Sequence, residues 1–239
     1  MILLVRDDRE IACEPGEDVH TDLGVIQVPA DPEPGDVVES HLGETFRVRA
    51  LRGPDLFSHL ERTGAPMVPK DIGLLIGHTG AAAGDRVLDA GTGTGILAAY
   101  LGRLGADVVT YERDGSFAEV ARENMERAGV ADTVEVRQGD VVEALDDLAD
   151  FDLLTLDTED APVVVERAPD ILRAGGFLAT FSPFVEAARE VEEAAREAGL
   201  GDIETLETIQ RRMDFDERGS RPTTTGVGHT GYLTLGRAP

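Results

Sequence analysis

No tryptophan, a single cysteine and a single lysine occur in 239 residues, and each shortage removes a class of reading. Cys13 has no partner for an internal disulfide, so a secreted, disulfide-scaffolded domain is excluded and the thiol reads as a small core residue. No apolar run approaches the roughly 20 residues that span a bilayer, and residues 1–5 are too short and too soon followed by charge to be a signal peptide. A cytoplasmic chain without a membrane partner is the expectation. The five histidines, His20, His41, His59, His78 and His229, show no ligand spacing, so no metal site is expected.

Basic charge is also scarce. Lys and Arg number 22 against 47 Asp and Glu, for a formal net charge of -25, and Lys70 is the one basic residue that is not an arginine. Self-repulsion on this scale strains a compact state unless salt screens it, and the Debye length at 1 M is about 3 Å. The composition therefore reads as halophilic adaptation; the competing reading is an acidic protein that avoids nucleic acid. The deficit is unevenly spread. Residues 203–239 balance Glu204, Glu207, Asp214, Asp216 and Glu217 against Arg211, Arg212, Arg218, Arg221 and Arg237. Residues 45–54 carry Arg47, Arg49 and Arg52 with no acid, and the two-residue period of a strand puts Arg47 and Arg49 on one face.

The hydrophobic pattern divides the chain. Residues 1–52 read as short strands (2–5, 24–28, 36–40 and 45–50) between turn signals such as Pro15-Gly16 and Pro34-Gly35, followed by a helical pattern over 54–63 and a break at Gly64-Ala65-Pro66. A small β-rich domain over 1–65 and a second domain over 66–239 are expected. In the second, helices are expected over 70–79, 94–104, 115–128, 141–148, 162–172 and 184–198. They alternate with strands over 86–90, 107–112, 134–138, 151–157, 177–181 and 203–211, which implies a mostly parallel sheet covered on both faces. Residues 229–235 follow a loop rather than a helix and should return antiparallel beside 203–211.

The most specific feature is Val87-Leu88-Asp89-Ala90-Gly91-Thr92-Gly93-Thr94-Gly95, an apolar strand running into a glycine-rich turn that opens a helix. Such a loop lets backbone N–H groups approach a ligand. A dinucleotide fingerprint wants glycine or alanine three positions after Gly93, where Ile96 stands, so NAD and FAD are disfavoured. Glu112 ends the next strand, where an acid can accept both hydroxyls of a ribose, and Asp140 follows the third, where a carboxylate can accept an adenine amino proton. The acids outline a nucleoside-shaped crevice.

From about residue 67 to the C-terminus these residues resemble class I S-adenosylmethionine-dependent methyltransferases, whose D/E-x-G-x-G-x-G loop and two strand-end acids match Asp89 to Gly95, Glu112 and Asp140. The resemblance implies an α/β Rossmann-like sheet, mostly parallel with a C-terminal antiparallel strand, preceded by the small β-rich N-terminal domain. It implies S-adenosylmethionine as cofactor, held by Asp89, Gly91, Thr92, Gly93, Thr94, Gly95, Glu112, Asp140 and Val141. A sulfonium cofactor without phosphate suits a carboxylate-rich pocket.

Over nearly the whole chain the sequence further resembles the archaeal and bacterial tRNA (adenine-N1)-methyltransferases that act on the T-loop. The match rests on His20-Thr21-Asp22-Leu23-Gly24, Pro69-Lys70-Asp71, Leu156-Asp157, and Arg221-Pro222 followed by His229-Thr230-Gly231-Tyr232-Leu233. It implies a catalytic aspartate at Asp157, a homotetramer, and tRNA as substrate, with Arg47, Arg49, Arg218, Arg221 and His229 as RNA-side candidates. Asp157 competes with a role as cap of the following helix, which Asp160 can also fill, and His229 with a structural hydrogen-bonding role. The family's D-x-P-D-P-W stretch is Asp157-Thr158-Glu159-Asp160-Ala161-Pro162 here, its tyrosine before Pro69 is Val68, and its upstream glutamine is Ala65. Two aromatic groups are thereby lost, each worth about 1–3 kcal/mol where bases stack in single-stranded sites. Two other readings stay open: a methyltransferase for a small molecule or protein carboxylate, and a non-catalytic tRNA- or protein-binding module that keeps the cofactor pocket.

Overall fold

β1 (Ile2–Arg6) and β2 (Arg9–Cys13) form a hairpin whose turn places Asp7 in the left-handed region (φ 50°). The structure, a computed structural model, describes residues 1–62, 64–226 and 228–239. β3 (Asp18–Thr21) and β4 (Gly24–Gln27) form a second hairpin, while β5 (Val37–Glu39) and β6 (Thr45–Arg49) complete a sheet of order β2-β1-β6-β5. Neither β2 nor β3 is legible in the sequence, because β2 opens on two exposed polar residues and β3 buries only Val19. Alternation along β1 sends Leu4 into a core with Cys13, Ile26, Phe46 and Val48, and Leu3 into the main core with Leu51 and Leu56. Cys13 is buried there, as its isolation suggested.

α1 (Gly53–His59) is shorter than the pattern over 54–63 implied, and Thr63 at the end of that span lies outside the described residues. The larger unit follows: α2 (Pro69–Thr79), β7 (Arg86–Ala90), α3 (Ile96–Leu104), β8 (Asp107–Glu112), α4 (Gly115–Ala128), β9 (Val134–Gln138), α5 (Val141–Ala144), β10 (Phe151–Leu156), α6 (Ala161–Glu166), α7 (Ala168–Ile171), β11 (Leu172–Ser182), α8 (Val185–Glu197) and β12 (Gly201–Glu207). The hairpin β13 (Met213–Asp216) and β14 (Gly219–Pro222) and the final strand β15 (Tyr232–Arg237) close the chain.

Seven strands form one sheet of order β12-β15-β11-β10-β7-β8-β9, parallel except for β15, which is antiparallel to both neighbours. One face is covered by α2, α3 and α4 through Ile72, Leu75, Leu101 and Met125, the other by α5 to α8 through Val141, Val164, Ile171 and Val191. Each large side chain fully buried between these layers, such as Leu88 or Leu154, contributes about 1.5–3 kcal/mol.

Several expectations are corrected. The single helix over 162–172 is two, because Pro169 cannot donate in a helix interior, and β11 starts five residues before the expected strand. β12 ends at Glu207 rather than 211; β15 does return antiparallel beside it, as expected, and pairs on its other side with β11. The helix expected from 94 starts at Ile96, since Gly95 is left-handed (φ 80°). The hairpin β13–β14 is unforeseen, as all eight of its residues are exposed and none repeats an apolar period.

Both ends of that hairpin excursion are anchored by the only lysine. Lys70 Nζ, at the start of α2, donates to Asp71 Oδ1 (2.6 Å), to the Thr208 carbonyl (2.8 Å) and to Thr230 Oγ1 (2.7 Å), and Thr230 Oγ1 donates to Asp71 Oδ2 (2.8 Å). Two separate motifs of the sequence, 69–71 and 229–231, thus meet in one buried network. No helix among the described residues is long and apolar enough to cross a membrane.

Candidate active site

The C-terminal ends of β7, β8, β9 and β10 open into a cleft of ≈ 410 Å³, at the point where strand order reverses around β7. Its wall is the glycine loop. Gly91 is left-handed (φ 89°), and a Cβ there would stand 2.0 Å from the carbonyl oxygen of Asp157. The Asp157 N–H donates to the Ala90 carbonyl at 2.9 Å, so the loop and the end of β10 are in direct backbone contact and only glycine fits between them. The Gly93 N–H donates to Glu112 Oε2 (2.8 Å), and the Asp114 N–H to Glu112 Oε1 (2.9 Å). Each carboxylate oxygen keeps a free lone pair for a hydroxyl, so Glu112 braces the loop and still faces the cleft.

Of the residues proposed from sequence to hold a cofactor, Gly91, Thr92, Gly93, Thr94, Glu112, Asp140 and Val141 line the cleft, and Asp157 does too. Asp140 is half-buried and caps α5 by accepting from the Val142 N–H (2.8 Å). Two residues depart from the expectation. Asp89 is buried within the sheet, where it accepts from Thr155 (2.5 Å) and Thr110 (2.5 Å), with Thr92 bonded in turn to Thr110 (2.5 Å). Gly95 serves packing: a Cβ there would lie 2.5 Å from Met125 Cε of α4. Both work one layer behind the lining.

Burial raises the Asp89 carboxyl above the usual carboxylate range, against the two threonine hydrogen bonds. Asp157 is pushed up to about 7, first by burial and second by the nearby charge of Asp89. The helix-capping role for Asp157 is not what the structure shows, because the N-cap position of α6 is Asp160. Asp157 therefore presents a half-buried carboxyl to the cleft that ionises near neutrality.

Sequence reasoning missed much of the rim. Residues 64–67 form one lip, and Tyr111, Arg113, Phe117 and Thr158 to Asp160 form others. Near that lip, Asn124 of α4 ties Glu61 to the glycine loop: its Nδ2 donates to the Glu61 carbonyl (2.9 Å) and the Thr94 carbonyl (2.8 Å) while its Oδ1 accepts from the Glu61 N–H (3.1 Å). An asparagine in an otherwise ordinary helix gives no sequence signal for this. Arg113 could have been found by its place directly after a candidate ligand.

The RNA-side candidates do not line this cleft. Arg47 and Arg49 do share one exposed face of β6, beside a second depression formed with Arg52, Pro34 and Gly35. Arg47 donates to the Gly35 carbonyl (3.0 Å), and Arg49 pairs with Glu10 (2.6 Å). Arg218 pairs with Asp216 (3.2 Å) in the turn of the hairpin, and Arg221 lies opposite Asp214. His229 is fixed between Glu207 Oε1 (2.7 Å at Nδ1) and the Pro183 carbonyl (2.9 Å at Nε2), which together raise its affinity for a proton, the carbonyl first. Both ring nitrogens are thus engaged within the chain.

The donor set fits S-adenosylmethionine. Carboxylates at both ends suit a ribose diol and a sulfonium, and Arg113, the one basic residue among the described residues lining the cleft, already faces acids instead of a phosphate.

Comparisons with known proteins agree with this chemistry. A family model described as "tRNA methyltransferase complex GCD14 subunit" matches residues 53–219. The chain is 35% identical to the tRNA (adenine(57)-N(1)/adenine(58)-N(1))-methyltransferase TrmI of Methanocaldococcus jannaschii, over 93% of this chain and 89% of the relative. Its fold is similar to the crystal structure of a SAM-dependent O-methyltransferase from Thermotoga maritima, with a TM-score of 0.82 at 26% identity, over 99% of this chain and 92% of the other. It is also similar to the tRNA (m1A58) methyltransferase TrmI of Aquifex aeolicus, with a TM-score of 0.77 at 22% identity over 99% and 95%.

Proposed function

The chain belongs to the tRNA methyltransferase family of the GCD14 subunit, and from that premise we propose that it methylates N1 of an adenine in the T-loop of tRNA, with S-adenosylmethionine as methyl donor. The observation that carries the reading is the placement of Asp157: a half-buried carboxyl ionising near 7, its backbone docked on Gly91, in the cleft whose other acids are Glu112 and Asp140.

When bound, S-adenosylmethionine supplies an electrophilic methyl on a sulfonium leaving group. The chain then has mainly to position an adenine, whose in-plane N1 lone pair needs no activation. Alkylation at N1 makes the ring cationic and its exocyclic amine more acidic. Ionised Asp157 accepts a hydrogen bond from that amine and stabilises the charge formed in the transition state. Glu112 would hold the ribose hydroxyls and Asp140 the adenine amino group of the cofactor, with Gly91 to Thr94 as the backbone wall.

On this reading the chain has two parts, 1–65 and 66–239, and RNA backbone contact falls to Arg47 and Arg49 of the first and to Arg218 and Arg221 of the second, a proposal supported by the exposure of all four side chains. A homotetramer working in a salt-rich cytoplasm accords with the family resemblance and the net charge of -25. The test is methyl transfer in molar KCl: labelled S-adenosylmethionine is offered with unmodified tRNA, with a protein mixture, or with neither. Label entering tRNA alone supports the reading. Label entering protein carboxylates, or no transfer despite cofactor binding, replaces it with one of the two alternatives.

A further inference from the structure

One guanidinium bridges the mouth of the cleft. Arg113 follows Glu112 at the end of β8, and its Nη2 donates to Glu159 Oε1 at 2.9 Å. Its Nη1 lies 2.9 Å from Asp160 Oδ2 and 3.9 Å from Asp140 Oδ2. In the sheet, β10 is separated from β8 by β7. The side chain therefore crosses the end of β7, where the glycine loop begins, and joins the loop after β10 to the loop after β9.

Five carboxylates line the cleft: Glu112, Asp140, Asp157, Glu159 and Asp160. With no cation between them, Glu159 and Asp160 would confront Asp140 directly, and repulsion would drive the loop after β10 outward, away from the cofactor end. Glu159 and Asp160 stand within the stretch where this chain departs from the family's D-x-P-D-P-W pattern, so the loop cannot be held by the tryptophan of that pattern. A planar fork that serves different acids from different nitrogens is what an arginine offers here.

We propose that Arg113 is a positioning residue, a latch that holds the loop bearing Thr158, Glu159 and Asp160 against the cofactor end of the cleft and so places Asp157 and the acceptor base relative to the donor. The proposal rests on the methyltransferase reading for its function, but its structural half does not. Exposed ion pairs contribute little to global stability, so the effect of the latch is local.

The first readout is hydrogen exchange in the ligand-free protein. The amides of Ala161, Val163 and Val164 donate to the carbonyls of Thr158 (3.2 Å), Asp160 (3.0 Å) and Asp160 (3.2 Å), and they report whether the loop opens. Arg113→Gln is expected to speed their exchange by about fivefold or more, with α8 unchanged. Asp160→Asn, which leaves the Glu159 contact in place, should speed it less, and the double variant should exchange no faster than Arg113→Gln alone, because the Asp160 side chain acts on the loop through Arg113. The second readout is kinetic: KM for tRNA should rise about tenfold while the dissociation constant for S-adenosylmethionine, measured by calorimetry, stays within about threefold. Unchanged exchange in both single variants, or additive effects in the double variant, overturns the latch. A wild-type protein that fails to methylate tRNA overturns the functional reading instead, and the exchange result still judges the latch.

Discussion

At the scale of single residues, the proposed mechanism makes the charge state of Asp157 decide when the site can work. Its carboxyl is pushed up to about 7 by burial and by Asp89, so below that pH it is protonated and cannot accept the amine hydrogen of the acceptor. Turnover should therefore rise with pH through about 7, and Asp157→Asn should lower it about 100-fold or more, typical of removing one electrostatic stabiliser. Stability gives an independent sign. A carboxyl whose folded pKa is raised holds its proton longer in the folded state than in the unfolded one, so it contributes stability below the unfolded value that is lost as pH rises from about 4 through about 7. Asp157→Asn should accordingly gain stability relative to wild type at pH 8 and not at pH 4, as read from urea melts. Near wild-type turnover in that variant removes Asp157 from the chemistry. Asp157 was legible because it ends an apolar strand and fits the family motif. The burial of Asp89 was not, because the threonines that hold it, Thr110 and Thr155, come from two other strands.

At the scale of elements, the parallel strands were legible to the residue where an apolar run, as in β7, or an apolar alternation, as in β9, meets polar turns at both ends. The position of β15 was not. A loop before it announced an antiparallel return, but its place between β11 and β12 shows only in the burial of Leu233, Thr234, Leu235 and Gly236 on both faces. The Lys70 network explains why this strand and α2 need each other. Replacing Lys70 by Met leaves Asp71 buried without its cation, at a cost of about 3 kcal/mol, frees the Thr208 carbonyl and leaves Thr230 only its bond to Asp71. Denaturant melts should show that loss, and exchange at the base of the β13–β14 hairpin should rise. A variant as stable as wild type contradicts the anchoring role.

For the whole molecule, the proposed substrate is a polyanion that must meet a chain of net charge -25. The structure locates one region of relief on β6, where Arg47 and Arg49 stand on one exposed face and Arg47 is bonded to a carbonyl rather than a carboxylate. Converting both to Ser should weaken tRNA binding without altering cofactor affinity. Each lost phosphate contact should also flatten log affinity against log salt by roughly one unit of slope. Superimposable titrations at several KCl concentrations would reduce these arginines to surface charge balance. The central claim is that the cleft joins an adenine N1 to a methyl group under Asp157. Its most direct test is nucleoside analysis by mass spectrometry of unmodified tRNA incubated with the protein and S-adenosylmethionine. N1-methyladenosine with wild type and its near absence with Asp157→Asn is the expected result. A different methylated nucleoside, or equal N1-methyladenosine from both proteins, contradicts it.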